Sequence, residues 1–468
     1  MPQEAKQVAA IAALMAIWWM CEPVPIPVTS LLPIALFPLF GVMPTSEATA
    51  PFANHLIFLF MGGFIIALAL QRWNFHRRIA LYIIRFIGFS PKRLVFGFML
   101  ATALLSAFVS NTATTVMMMP IGLAVILQAK AEFSQTGQSR EHSALDALGL
   151  NLMLGIAYAA SIGGVATLIG TPPNTVLAGY LATTYNYEIT FSSWLKVGLP
   201  LSITFLPLIW WWLTHVANPM PGLNLHRGSD IIQKELKEIG PMSLGERWTA
   251  TVFGLTAMGW IFRSSLTSLC PDPKMISDAT IAMLGALLLC IIPINLKKRI
   301  FVMNWEWVSK LPWGVLILFG GGLSLAKGFQ SSGLVYWIVN QTECLSGMPS
   351  FFLIVGITVM VIFLTELTSN TATTAMLMPV LSGLAIGLGQ SPLLLLAPAA
   401  IAASCAFMLP VATPPNAIIF ASGHVTIPQM ARSGLGLNII GIFLVTLLTY
   451  LILIPAFGIT IGELPEWV

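Results

Sequence analysis

The chain has 468 residues, enough for two or three soluble domains, but 57% of them are apolar and only 9% are charged. That charged share is well under half the usual one, and short alternating strands are absent. Soluble domains and a transmembrane β-barrel are both excluded, leaving an all-α polytopic membrane protein. The net charge of +4 does not call for nucleic acid, because 17 of the 22 Lys and Arg fall in 71–94, 129–147, 217–247, 295–310 and 422–434. These segments become cytoplasmic together if 71–94 is placed inside and the spans alternate.

Apolar runs of about 16–25 residues, enough to cross ~30 Å of hydrocarbon, begin with spans at 8–22, 28–42 and 53–70. The first has no basic n-region and no small-residue cleavage site, so it is not a removable signal. A basic amphipathic connector follows, "QRWNFHRRIALYIIRFIGFSPKRL" at 71–94. Next, two apolar arms, 93–109 and 113–128, flank the polar string "SNTATT" at 110–115. If both arms crossed completely, the alternation and the charge bias would fail together. A re-entrant hairpin over 91–128 with Ser-Asn-Thr at its tip removes the conflict, provided protein or a wet cavity satisfies the non-helical backbone.

Then come a span at 148–180 interrupted by "GTPPN" (170–174) and a span at 194–216. The latter contains Trp210-Trp211-Trp212, read as an interfacial belt or as packing. The most polar stretch, 224–247, predicts a cytoplasmic surface helix within a connector at 217–247. Spans at 246–263, 278–294 and 311–328 lead to a second hairpin over 351–388, with "SNTATT" at 369–374. A span at 393–421 interrupted by "ATPPN" (412–416) and a last one at 436–459 complete the chain. The five cysteines show no CxxC spacing, so metal or redox chemistry is not expected; Cys270 and Cys344 share the predicted outer side and could pair.

The two halves repeat. Phe60-Met61-Gly62-Gly63 corresponds to Phe319-Gly320-Gly321-Gly322, and Gln71 to Gln330, at the same offset as the two SNT strings. The first Gly-Gly span ends at the basic cluster, whereas the second begins beside Lys297, Lys298, Arg299 and Lys310, so the halves are expected to be inverted. Inverted duplication marks secondary transporters.

Each SNT tip ends one helix, with free carbonyls, and starts another, with free N–H groups. Carbonyls suit a small cation, and N–H groups with the helix dipole suit an anion. Pro172-Pro173 and Pro414-Pro415 break their helices, freeing carbonyls at Gly170 and Ala412, while Asn174 and Asn416 are expected to cap the resuming half-helices. No Lys or Arg lies in any of the four strings, so bound Na⁺ is expected to supply the charge that an anion needs. Glu366, the acid beside the second tip, is read as structural, and the Met runs at 117–119 and 376–378 as core filler.

The duplicated SNT and TPPN strings resemble the divalent anion–sodium symporter family, the INDY-type di- and tricarboxylate carriers. So do "WWMCEPVPIPVTSLLPIALFPLF" (18–40) and "RWNFHRRIAL" (72–81). The resemblance covers nearly the whole chain. It implies a homodimer in which each protomer has a scaffold (1–88 and 248–345) and a mobile transport domain (89–216 and 346–468) that moves as an elevator. It implies two or more Na⁺: one at Ser106, Ser110, Asn111 and Gly170, another at Thr365, Thr368, Asn370 and Ala412. Carboxylates of a C4-dicarboxylate would meet Ser110, Asn111, Thr112, Ser369, Asn370 and Thr371, flanked by Thr171, Pro172, Thr413 and Pro414. The family pattern also has a further helix ahead of the segment that opens this chain, which leaves the side of the N-terminus open.

Several alternatives remain at this point: sodium-independent dicarboxylate exchange, citrate, sulfate or another divalent oxyanion as cargo, and a channel. An intramembrane hydrolase lacks support, since there is no HExxH, no GxSxG and no His near either tip.

Overall fold

The computed structural model describes residues 1–133, 139–220, 228–268, 275–341 and 347–468, with backbone alone for 132, 133, 139–143 and 228–231. Cys270, Cys344 and the start of the polar connector lie outside the described residues. Helix α1 (Gln3–Cys21) ends at Glu22 in the left-handed region, its N–H returning to the Trp18 carbonyl. The expected span at 28–42 is instead two short helices, α2 (Ile26–Thr29) and α3 (Leu32–Leu39). Residues 26–39 rise about 21 Å, short of the ~30 Å core. Pro27, Pro33 and Pro38 each remove a backbone donor there. Ser30 ties the turn down, donating to the Ile26 carbonyl at 2.9 Å and accepting from Trp19 Nε1 at 3.2 Å.

A short helix, α4 (Thr45–Thr49), and a 3₁₀ turn lead into α5 (His55–Arg72), whose start is capped by Asn54 Oδ1 accepting the Leu56 N–H at 2.9 Å. The amphipathic α6 (Phe75–Ile87) follows, then α7 (Pro91–Ser106) and α8 (Asn111–Phe133), separated at the first SNT. The first broken span is α9 (Ser139–Val165) and α10 (Pro172–Tyr185). Helix α11 (Phe191–Trp211) runs on as a π-helical turn, Trp212–Ala217. The tryptophan triplet is mostly packing: Trp210 Nε1 donates to Lys92 O at 2.8 Å and Trp212 Nε1 to Ser433 O at 2.9 Å.

The second half opens with the connector helix α12 (Gly228–Ile239), then α13 (Leu244–Ile261), α14 (Arg263–Thr267) and α15 (Asp278–Ile291). The span expected to reach 294 stops at Ile291, before Pro293, and the chain forms a small antiparallel hairpin, β1 (Pro293–Asn295) with β2 (Ile300–Phe301). It is a departure from an all-α reading. Then follow α16 (Trp305–Val308), α17 (Trp313–Ser331), α18 (Leu334–Gln341), α19 (Ser350–Thr365) and α20 (Asn370–Gly387), the last two separated at the second SNT. The second broken span is α21 (Pro392–Ala403) and α22 (Pro414–Phe420). The chain ends with α23 (Ile427–Leu448), a π-helical turn, and α24 (Ile454–Phe457).

Among the described residues, five helical stretches are long and apolar enough to cross a membrane: 45–72, 111–131, 144–165, 191–217 and 427–457. The third is buried on every side, the mark of a helix at the centre of a bundle. Helix α9 packs on α7, α8 and α11, and also on α22 from the other half. Reciprocally, α10 packs on α17, α20 and α21. Each half thus supplies a half-helix that rests on the other half's hairpin.

On the basic side, Arg78 joins α6 to α13: its guanidinium donates to both Glu246 oxygens, at 2.5 and 3.1 Å, and to Gly240 O at 2.9 Å. Both side chains are under 10% exposed, whereas the neighbouring Arg77–Glu235 pair is 33% and 21% exposed. Arg78→Ala should therefore destabilise the detergent-solubilised protein by about 3–5 kcal/mol, because it strands a buried carboxylate. Arg77→Ala should cost about 1 kcal/mol or less. Unfolding midpoints of the two variants, compared side by side, check the difference.

Candidate cation and anion site at the two helix breaks

Ser106 ends α7, and its Oγ lies 2.5 Å from Asn111 Oδ1, at the start of α8, and 2.6 Å from the Ala160 carbonyl oxygen of α9. In the second half, Thr365 Oγ1 lies 2.7 Å from Asn370 Oδ1 and 3.1 Å from the Ala403 carbonyl oxygen of α21. A hydroxyl has one proton and can donate to only one of two such acceptors. Each cluster therefore leaves an oxygen pair that no proton bridges, an arrangement that a small hard cation relieves.

Further carbonyls converge on the first cluster. A Cβ on Gly164 would lie 2.7 Å from Asn111 Oδ1 and 3.0 Å from Gly170 O; one on Gly170 would overlap the Gly164 carbonyl and lie 2.9 Å from Ala107 O. Only glycine fits between these oxygens. Ser106, Gly170, Thr365 and Ala412 are buried. Thr368 is buried too, but its hydroxyl is engaged by Leu364 O at 2.9 Å and Thr373 Oγ1 at 2.6 Å, and it does not join the Thr365 cluster. Ser110 accepts the Ala113 N–H at 3.3 Å as a helix cap, whereas Ser369 makes no capping bond.

The residues assigned to the anion are more open. Ser110, Asn111, Pro172, Ser369, Asn370 and Thr371 are half-buried, Thr112 and Pro414 are exposed, and Thr171 and Thr413 are buried at the starts of α10 and α22. Thr413 caps α22 through the Asn416 N–H at 3.3 Å.

Asn174 and Asn416 act in the opposite sense to the one expected. Their amides do not cap the resuming half-helices; they donate backwards, to the preceding carbonyls. Asn174 Nδ2 reaches Thr167 O at 2.8 Å and Val165 O at 3.3 Å, and Asn416 Nδ2 reaches Leu409 O at 3.0 Å and Ala406 O at 3.1 Å. The two prolines explain the reversal: the first N–H groups of the resuming helix are already absent, and the surplus in the break is of carbonyls.

The reading from sequence missed Ala160, Ala403 and Gly164. The two alanines carried a signal in a further repeat, "AAS" at 159–161 and 402–404, overlooked because alanine contributes only a carbonyl. Glu366 proves to be a backbone anchor: its carboxylate accepts the N–H groups of Phe407 (2.7 Å), Met408 (3.0 Å) and Leu409 (3.1 Å), and Asn438 Nδ2 at 2.8 Å. Four donors onto one buried carboxylate make Glu366→Gln costly, on the order of 3 kcal/mol or more, since an amide cannot accept them all. The unfolding midpoint of that variant, set against wild type in detergent, is the check; no change would mean the anchor is dispensable.

A family model described as the sodium:sulfate symporter transmembrane region matches residues 1–457. The sodium-dependent dicarboxylate transporter SdcS of Staphylococcus saprophyticus is 43% identical over 97% of this chain and 88% of its own length. The protein of the same name from Staphylococcus aureus USA300 is 44% identical over 99% and 89%. In fold, the chain resembles the Alcanivorax borkumensis YdaH transporter, with a TM-score of 0.63 at 16% identity, covering 98% of this chain and 99% of that one. Neisseria gonorrhoeae MtrF gives 0.53 at 14% identity, over 96% and 94%. This multi-pass α-helical membrane protein, a transporter and not an enzyme, belongs to the sodium:sulfate symporter family.

Proposed function

We propose that the protein imports C4-dicarboxylates such as succinate, malate or fumarate together with two or more Na⁺. The observation that carries this reading is the pair of matching oxygen clusters, Ser106–Asn111–Ala160 and Thr365–Asn370–Ala403, one at each hairpin tip. Each cluster offers neutral oxygens to Na⁺, and the adjoining starts of α8 and α20 offer N–H groups to a carboxylate. Ser110, Asn111 and Thr112 would meet one carboxylate and Ser369, Asn370 and Thr371 the other, with Thr171, Pro172, Thr413 and Pro414 as walls. None of these groups carries a positive charge, so sodium supplies the compensation. The names of the staphylococcal relatives point the same way.

Inverted repeats moving as an elevator are part of the proposal, with the domain division given above and two protomers as the assembly. Phe60 and Phe319, equivalent in the two halves, stack on each other with centroids 5.0 Å apart and planes 14° apart, as residues beside a pseudo-twofold axis must. Two pairs of left-handed residues fall at the repeat offset: Asn74 with Gly333 and Gly88 with Gly347. Asn74 and Gly88 flank α6, the arm that joins span to hairpin, and φ of +103° at Gly88 favours glycine at that pivot.

The halves also differ in a way that supports reading this conformation as one end of the stroke. The first tip, through Val109 and Ala113, packs on Ala67 and Leu70 at the basic end of α5. In the second half Gly322, midway along α17, faces Ala375 of α20, with their Cβ positions 3.4 Å apart. Gly63 in turn faces Ile169, a Cβ there lying 3.3 Å from its Cδ1, so exchanging the roles of the halves brings Val116 to Gly63 and Val411, the equivalent of Ile169, to Gly322; Val116 and Val411 are now 53% and 71% exposed.

Succinate uptake into proteoliposomes should require Na⁺ and rise steeply with its concentration; equal counterflow in choline would establish exchange. Asn111→Ala and Asn370→Ala should each reduce uptake at least about tenfold, the effect of losing one charge-assisted bond, with unchanged size-exclusion profiles. A double variant, Gly63→Cys with Val116→Cys, should cross-link only in the opposite conformation, and so more readily when substrate and Na⁺ permit cycling. Full transport with no cross-link under any condition would remove the elevator reading.

A further inference from the structure

The two breaks are held by different hands. In the first half, the carbonyl of Val165, where α9 stops, receives Trp194 Nε1 at 3.0 Å from α11 of the same half. In the second half, the corresponding carbonyl is that of Phe407, and its donor is the Tyr158 hydroxyl at 2.7 Å. Tyr158 belongs to α9, in the other half, two residues before the Ala160 carbonyl of the first cluster.

The Phe407–Met408 peptide is held from every direction. Its N–H, that of Met408, goes to Glu366, as does the Phe407 N–H before it, and Glu366 directly follows Thr365 of the second cluster. A Cβ on Gly434 of α23 would overlap its carbonyl group and lie 2.7 Å from Met408 N. The Phe407 ring meets Tyr158 at 5.0 Å and Phe205 at 5.8 Å. Tyr158 and Phe407 are both fully buried.

An unbroken path therefore runs from the first cluster to the second: Ala160, Tyr158, the Phe407 peptide, Glu366, Thr365. Its members are rigid. The Tyr158 ring is buried on all sides, and the peptide joining Phe407 to Met408 is planar with both polar groups engaged, its carbonyl by Tyr158 and its Met408 N–H by Glu366, so it transmits a shift instead of absorbing one.

We propose that Tyr158 is a positioning residue that couples the two cation clusters, so that an ion at one prepares the oxygens of the other. The proposal rests on the two-ion reading above. A cation on the Ala160 carbonyl fixes the turn of α9 that carries Tyr158. Tyr158 fixes Phe407, and Glu366 sets the turn from Thr365 to Asn370. The ordering of the second site is then complete before its ion arrives, which is positive cooperativity in sodium. Trp194, the counterpart on the first break, lies within one half and transmits nothing between the clusters.

The test is the sodium dependence of succinate uptake in proteoliposomes for wild type, Tyr158→Phe and Trp194→Phe. Tyr158→Phe removes one oxygen. Its curve should lose steepness, with the Hill coefficient falling from about two towards about one. Half-saturating sodium should rise roughly two- to tenfold, the worth of one buried hydrogen bond, while uptake at saturating sodium persists. Trp194→Phe should keep the steepness of wild type. A sigmoidal wild-type curve with an equally steep Tyr158→Phe curve overturns the coupling alone; a hyperbolic wild-type curve overturns the two-ion reading with it. A second measurement keeps Tyr158 in place. Sodium should slow amide hydrogen exchange in 404–413, and Ser106→Ala, at the far cluster, should weaken that protection. Equal protection in Ser106→Ala and wild type would equally sink the proposal.

Discussion

Everything at the centre of this protein follows from the cost of interrupting a helix inside hydrocarbon. An unpaired N–H or carbonyl at that depth costs several kcal/mol, and four interruptions expose many of both. The chain meets the demand locally. Asn174 and Asn416 gather surplus carbonyls, Thr413 and Ser110 take N–H groups, and Glu366 takes three more. Once these are assigned, the oxygens around Ser106 and Thr365 still outnumber the protons that could bridge them. The proposed cation sites follow from that accounting: they are oxygens left for ions to satisfy.

The halves reach the same remainder by different routes. Helix α9 continues five residues beyond Ala160 to Val165, whereas α21 stops at Ala403. An N–H that would return to Ala403 in a longer helix is that of Phe407, which Glu366 accepts instead. The carboxylate thus releases the Ala403 carbonyl towards Thr365. The first half has Ala107 in the place of Glu366, with Thr167 Oγ1 donating to its carbonyl, and the longer α9 leaves fewer free N–H groups to collect. Duplicated sequence gives duplicated clusters, but one is framed by a charge and the other by neutral groups.

What could be read beforehand was whatever side chains and periodicity encode. The helix pairs around the two SNT strings, both breaks and the described part of the connector helix have bounds close to those read from the sequence, because prolines, SNT strings and apolar length are strong local signals. The reading failed where backbone atoms act. Ala160 and Ala403 contribute carbonyls and look like filler, and Asn174 was given the wrong partners because the direction of a side-chain amide depends on which backbone groups are surplus. It failed again at 28–42, where Pro33 and Pro38 fall inside the apolar run and Pro27 lies just before it. The contact between Tyr158 and Phe407 joins residues 249 positions apart, and no local pattern announces it.

The absence of a cationic side chain among the residues proposed to face the anion is a constraint on mechanism as much as on affinity. A lysine or arginine at either tip would hold a dicarboxylate without ions, and the anion could then be carried whatever the sodium gradient. With neutral donors, the occupied state requires both partners, and by linkage each raises the affinity of the other by the same factor. Coupling of this kind asks for no moving gate between the sites. It needs only that the cation oxygens and the anion donors belong to the same short segments, as Ser110-Asn111-Thr112 and Ser369-Asn370-Thr371 do. A helix start one residue after the cation oxygens suffices, because the two charges then share one desolvated volume in which their attraction is least screened.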